Sequence, residues 1–283
     1  MKNIVMAIDF SKGSLHALKY AVSLAVKSGA DLTLVWVDNQ VVQQSVISLP
    51  SQDLRMEAKT RLTELTVKYA SKLGKRIHFK QRKGKVFQEI STVARSINAD
   101  LIIAGTYGGS GFEKLWIGSN AYRIITHASC PVITVRFEAG ANPGLSRIIM
   151  PIDNSLETLQ KLPLTAEIAA NFNAEVHIVN IYQESDLKSV KMKADSYSRK
   201  AMQFLQQKEI SLVYTSLETD NITETIIDYT LNVGGNLISV MTEQNLTGSS
   251  GLLGPNARLL VNQSPVPVLS VVPGLYITNT DIN

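Results

Sequence analysis

Lys2-Asn3-Ile4-Val5-Met6-Ala7-Ile8-Asp9-Phe10-Ser11 opens the chain, and Ser146-Arg147-Ile148-Ile149-Met150-Pro151-Ile152-Asp153-Asn154-Ser155 repeats it 144 residues later with the aspartate at the same step. Near the other end, Cys130-Pro131-Val132-Ile133-Thr134-Val135 matches Val266-Pro267-Val268-Leu269-Ser270-Val271 at an offset of 136. The second copy is therefore eight residues shorter, and residues 40–50, which have no counterpart of that length, are the expected place of the difference. A period of this size is far longer than that of a stacked repeat, so the 283 residues hold a duplicated domain. The stretch Glu138-Ala139-Gly140-Ala141-Asn142-Pro143-Gly144 has linker composition. Domains are expected at 1–138 and 146–274, with a linker over 139–145 and a tail over 275–283.

Working outward from the opening run, the first copy alternates two periodicities. Residues 4–8 are apolar and rich in β-branched side chains; Leu15, Leu18, Val22 and Ala25 then recur at helical spacing behind the candidate caps Ser11 and Ser14. Strands are expected at 32–37, 77–82, 101–104 and 132–135, and helices at 53–73, 86–97 and 119–127. The order β-α-β-α-β-α-β-α-β, with crossovers long enough for parallel pairing, gives an α/β fold. The expectation is two tandem doubly wound parallel five-stranded sheets, Rossmann-like, with strand order 3-2-1-4-5.

Composition narrows the setting. Hydrophobic residues make up 45% and charged residues 18%, the balance of a globular protein rather than a disordered one. No apolar run approaches the roughly 18–20 residues of a spanning helix. One cysteine, Cys130, can form no intramolecular disulfide, and the N-terminus runs straight into a strand without a cleavable segment. A reducing cytoplasm and no membrane are expected. The net charge of +4 is unevenly split: up to Leu145 there are 19 Lys and Arg against 10 Asp and Glu, and from Ser146 on 9 against 14. The basic run Lys72, Lys75, Arg76, Lys80, Arg82, Lys83, Lys85 has few interleaved aromatics and reads as a solvated helix end and edge strand, not a nucleic-acid surface.

Ligands of doubly wound sheets bind beyond the carboxyl ends of the strands, where strand order reverses. Here those are the exits of strands one and four. Strand one ends in Ala7-Ile8-Asp9. Strand four leaves Ala104 into Gly105-Thr106-Tyr107-Gly108-Gly109-Ser110-Gly111, and Gly118-Ser119 then opens a helix. Glycines allow sharp turns and close backbone approach, and a helix N-terminus presents unpaired N–H groups to an anion. Asp9 is placed to accept ribose hydroxyls or help hold a divalent cation.

Gly105-x2-Gly108-x9-Gly118-Ser119, between a strand ending in Asp9 and one starting at Cys130-Pro131-Val132, resembles the ATP-binding branch of the universal stress protein family, here in tandem form over 2–136 and 146–272. The resemblance implies an adenine near Ala7, Val37 and Ala104, with Asp9 facing the ribose or a magnesium or manganese ion whose full ligand set is unknown. Gly105 and Gly108 would line the phosphate path, with Gly109 where ATP-binding members commonly carry a basic residue. Gly118, Ser119 and Asn120 would hold phosphates through backbone amides and the Ser119 hydroxyl. It further implies a stress-response regulator that binds ATP without obligatory catalysis, an intramolecular pseudo-dimer about a pseudo-twofold axis, compatible with a homodimer, and protein partners not identified by sequence. A slow ATPase or other nucleotide-dependent enzyme of the same fold is the alternative.

The second copy differs where it matters. Gly105 corresponds to Met241, Gly108 to Gln244 and Ser119 to Pro255, which removes a hydroxyl and a backbone donor while suiting the first helical position. Only the first copy is expected to bind ATP, although Asp153 is kept. No catalytic residues are assigned: the P-loop and the nucleophile-elbow patterns are absent, and His16, His78, His127 and His177 are scattered and read as surface or helix-end residues.

Overall fold

The computed structural model describes residues 1–39, 51–106, 118–136, 144–183, 185–242 and 255–274. The chain divides into two compact units, Met1–Pro143 and Gly144–Asn283. The expected loop 40–50, linker residues 139–143 and tail 275–283 lie outside the described residues.

The first unit runs β1 (Asn3–Ala7), α1 (Lys12–Ser28), β2 (Asp31–Asp38), α2 (Ser51–Leu73), β3 (His78–Lys83), α3 (Val86–Ser96), β4 (Leu101–Gly105), α4 (Ser119–His127) and β5 (Val132–Val135). Its strands are parallel in the order β3-β2-β1-β4-β5. Strand order therefore reverses between β1 and β4, as expected. Central strands read as unbroken apolar runs because both faces are covered; Ile4, Val5 and Met6 are fully buried, as are Leu101, Ile102 and Ile103. The edge strand β3 is only partly buried and basic, and Lys75 and Arg82 of the basic run pair with Asp31 (2.6 Å) and Glu89 (2.8 Å).

Helix α1 starts where Ser11 caps it, the hydroxyl accepting from Ser14 N–H at 3.1 Å, and stops at Gly29, whose φ of +65° suits glycine. It buries Leu18 and Val22 together with Ala17, Ala21 and Ala25, whose small side chains let it lie close to the sheet.

The second unit repeats the plan: β6 (Arg147–Ile152), a 3-10 turn (Leu156–Leu159), α5 (Leu162–Phe172), β7 (Glu175–Tyr182), α6 (Lys188–Gln207), β8 (Leu212–Glu218), α7 (Ile222–Asn232), β9 (Leu237–Met241), α8 (Pro255–Gln263) and β10 (Val268–Val271). Its parallel order is β8-β7-β6-β9-β10. Asn173 stands 144 residues after Gly29 and takes the same left-handed cap, φ +52°.

Two prolines change the second copy. Pro163, early in α5, lacks the N–H and the room to continue the helix backward, so the first turns of α1 are replaced by a 3-10 turn. Pro151 acts on the sheet. In the first unit Ile8 N–H donates to Val35 on β2, so strand alternation turns Ala7 N–H toward β4. Pro151 occupies that step with no N–H to give, and pairing of β6 with β9 ends at Ile149, two residues against the four that join β1 and β4. The ladder between the central strands β6 and β9 is thus shorter than that between β1 and β4.

Candidate functional site at the strand exits

Beyond β1, a left-handed Phe10 (φ +63°) swings the chain into α1 and fixes Asp9 between strand and helix. Asp9 N–H donates to Ser14 Oγ at 3.3 Å, and Asp9 Oδ1 accepts from Ser11 N–H at 3.0 Å. The residue is exposed, so its carboxylate stands at the mouth of the crevice.

Register brings the expected adenine contacts onto one face. Ala7 lies beside Ala104 on β4 and beside Val35 on β2, and Val37 follows Val35 by two residues. Ala7 and Val37 are half-buried and Ala104 is buried. This is the face toward α3, because Asn3 Nδ2, two steps back on the same side, donates to Ile97 O at the end of that helix. Thr106, two residues past Ala104, continues the alternation onto this face, its N–H donating to Val135 O at 3.1 Å. Its Oγ1 is buried and has no hydrogen-bond partner.

Gly105 belongs to the opposite face. A Cβ there would lie 2.9 Å from the carbonyl carbon of Gly13 and 3.1 Å from Ser14 N. The Gly13–Gly105 pair thus lets the first turn of α1 close onto the end of β4, so the space beside Gly105 is filled by α1 backbone. Gly118 is also placed by contact. Its N–H donates to Thr106 O at 2.8 Å, and a Cβ would come within 2.9 Å of that same oxygen. Gly118 therefore docks α4 against the end of β4 and spends its own amide in doing so. The amides of Ser119, Asn120 and Ala121, in the first turn of α4, have no intrahelical acceptor and no side-chain cap, and Ser119 and Asn120 are exposed. Gly108 and Gly109 lie outside the described residues.

The corresponding crevice of the second unit is built differently. Asp153 repeats Asp9: its N–H donates to the Thr158 hydroxyl at 3.3 Å, and its Oδ1 accepts from Ser155 N–H at 2.8 Å. The Ser155 hydroxyl also turns to Asp153 Oδ1, at 2.5 Å, whereas Ser11 caps its helix. Glu157 and Met241 replace the Gly13–Gly105 pair, and Pro255 begins α8 without a donor. Lys161 stands where the first unit has Ala17 and is buried, its Nζ donating to Thr158 O at 2.7 Å and Thr158 Oγ1 at 3.0 Å.

The sequence profile of the universal stress protein family matches residues 1–136 and again 144–272. The chain belongs to the universal stress protein family. A universal stress protein of Methanocaldococcus jannaschii is 32% identical over 142 residues, 48% of this chain and 82% of that protein. The universal stress protein A homolog 1 of Coxiella burnetii is 35% identical over 143 residues, 47% of this chain and 95% of that one. At full length the fold is shared with the crystal structure of a universal stress protein from Archaeoglobus fulgidus, at TM-score 0.78 and 19% identity, covering 96% of this chain and 98% of that chain. The tandem architecture is thus that of a universal stress protein.

Several residues of this universal stress protein escape a reading by pattern. Gly13, Thr106 and Lys161 act through contacts with segments distant in sequence. His177 corrects the expectation of a surface residue. It is buried in β7, with Nδ1 2.8 Å from Tyr229 Oη and Nε2 2.9 Å from Glu175 Oε1. Cys130 is buried, and desolvation, with the charge of Asp100 adding to it, pushes its thiol up to about 12, which keeps it an uncharged packing group.

Proposed function

We propose that the first unit binds ATP with a divalent cation, that the second does not, and that the protein works as a stress-response regulator whose bound nucleotide alters its contacts with partner proteins. The observation that carries this reading is the buried, unpartnered Thr106 hydroxyl beside the uncapped first turn of α4. A buried hydroxyl without a partner costs on the order of 1–3 kcal/mol, and a ligand that hydrogen-bonds to it recovers that cost. The amides of Ser119 and Asn120 suit phosphate oxygens, and the apolar face of Ala7, Val37 and Ala104 suits an adenine ring.

Among the described residues no group of three His, Cys, Asp or Glu could hold a metal ion. Asp9 is the carboxylate that stands exposed at the mouth of the crevice, and the phosphates and water would chiefly coordinate the cation. The cation neutralises phosphate charge when bound; the chain's own contribution is to orient the base and receive the phosphate tail at α4.

Calorimetric titration of the purified full chain with ATP and magnesium tests the reading. One ATP per chain is expected. Ser119→Pro, which copies Pro255 and is tolerated at a first helical position, should weaken binding at least about tenfold through one lost donor and one lost hydroxyl. Ser119 serves better than Gly118, where any side chain would strike Thr106 O. Two equivalent sites, or undiminished binding by Ser119→Pro, would refute the assignment.

A further inference from the structure

Lys161 is a cation that exists in one copy only. Its long side chain runs into the interior from the position of Ala17 and ends at the carboxyl end of β6, on the Thr158 hydroxyl that also receives Asp153 N–H. An ammonium has three protons to donate. Among the described residues both acceptors come from Thr158, and no carboxylate lies within ion-pair distance. Asp153 is the charged group whose field reaches it without contact, and Oδ1 of that carboxylate accepts from the amide and hydroxyl of Ser155. Among the described residues the cation thus has one uncommitted N–H and no partner of opposite charge in contact.

The strand ladder is short at the same place. Because Pro151 has no N–H, β6 and β9 are unpaired beyond Ile149, at the switch point where doubly wound sheets receive ligands. The segment above it is the short 3-10 turn, without a side-chain cap, that Pro163 separates from α5. Burial also lowers the Lys161 pKa, from 10.5 to about 8, against the opposing charge of Asp153.

We propose that the crevice at the carboxyl ends of β6 and β9 is a binding site for a small anion, a phosphate or a carboxylate, anchored by the Lys161 ammonium and the Thr158 hydroxyl. The anion supplies the contacting counter-charge that Asp153, whose Oδ1 is held by Ser155, does not give. A nucleotide in the arrangement proposed for the first unit is not expected here, since Pro255 lacks the amide and the hydroxyl that Ser119 would give its phosphates. The site stands independently of ATP binding by the first unit.

The test follows the Lys161 side chain by NMR in the full chain carrying labelled lysine, titrated with sodium phosphate against sodium chloride at matched ionic strength. A saturable change in the Lys161 signal is expected, with its titration midpoint raised by about one unit, a tenfold stabilisation of the ammonium. Because the signal is local to the second unit, phosphate bound elsewhere does not imitate it. A parallel acetate titration decides between phosphate and carboxylate. Lys161→Met keeps the volume and should abolish the phosphate-dependent rise in melting temperature that the wild type shows. A midpoint unmoved by both anions at tens of millimolar, or the same rise in Lys161→Met, would overturn the proposal. If Lys161→Met fails to fold, the wild-type titration decides alone.

Discussion

At the scale of single residues, Lys161 links the second unit's stability to pH. With a folded pKa near 8 against an ordinary value of 10.5, both states hold the proton below pH 8. Between pH 8 and 10.5 the folded protein has released it while the unfolded chain keeps it. The unfolded state then binds more protons, so stability rises with pH across that window, by up to about 3 kcal/mol, and levels off above it. Urea denaturation of wild type and Lys161→Met, compared in anion-poor buffer, should show this gain in the wild type and not in the variant. A difference that is flat or falls with pH would show that the ammonium is better satisfied than its surroundings indicate. Asp38 poses a parallel problem, since both of its carboxylate oxygens are buried at the end of β2 without a hydrogen bond. Nothing in the described structure compensates for it.

At the scale of elements, α1 and its counterpart show how one contact sets the shape of a crevice. Gly13 and Gly105 permit backbone against backbone, and replacing the second with alanine places a methyl 2.9 Å from carbonyl carbon, where nothing flexible can yield. Gly105→Ala should therefore cost about 1–3 kcal/mol in urea denaturation and speed amide exchange in the first turn of α1. An unchanged midpoint would mean that α1 can slide without loss. In the second unit that contact is gone, and the helix begins six residues after the 3-10 turn does. The elements themselves were legible in sequence because each carries its own periodicity: every strand of the first unit lies within a residue of expectation, and the internal repeat carried the plan into the second unit. Pro163 and Pro151 were visible as letters. Their effects were not, because one acts by forbidding a helical turn and the other by withholding a single N–H toward β9, and both depend on pairing that a linear pattern does not contain. The glycines at 105 and 118 stand out in the sequence, but the contacts that each makes, one with Gly13 and the other with Thr106, depend on packing between elements that a linear pattern does not contain.

At the scale of the molecule, duplication has left two copies of one topology with differently built crevices, and the charge divides with them. The first unit combines a surplus of basic residues with an open helix N-terminus; the second combines an acidic surplus with a single buried lysine. A net positive unit attracts an anionic ligand at long range, but affinity rests on the donors at close quarters. Hence the location of nucleotide stabilisation is predicted by the site residues rather than by net charge. Ligand that binds only the folded first unit stabilises it by about 2.7 kcal/mol at a hundredfold excess over Kd. Amide exchange of the full chain with magnesium and ATP should therefore slow around Asp9, Ala104–Thr106 and the first turn of α4, while peptides from β6, the 3-10 turn and α8 keep their rates. Phosphate alone should give the reverse emphasis, slowing the segment from Asp153 to Lys161. If ATP protected both units equally, the loss of Gly105 and Ser119 from the second copy would carry no functional meaning. If neither anion protected either unit, the open amides of α4 and the uncommitted proton of Lys161 would have to be explained by folding alone.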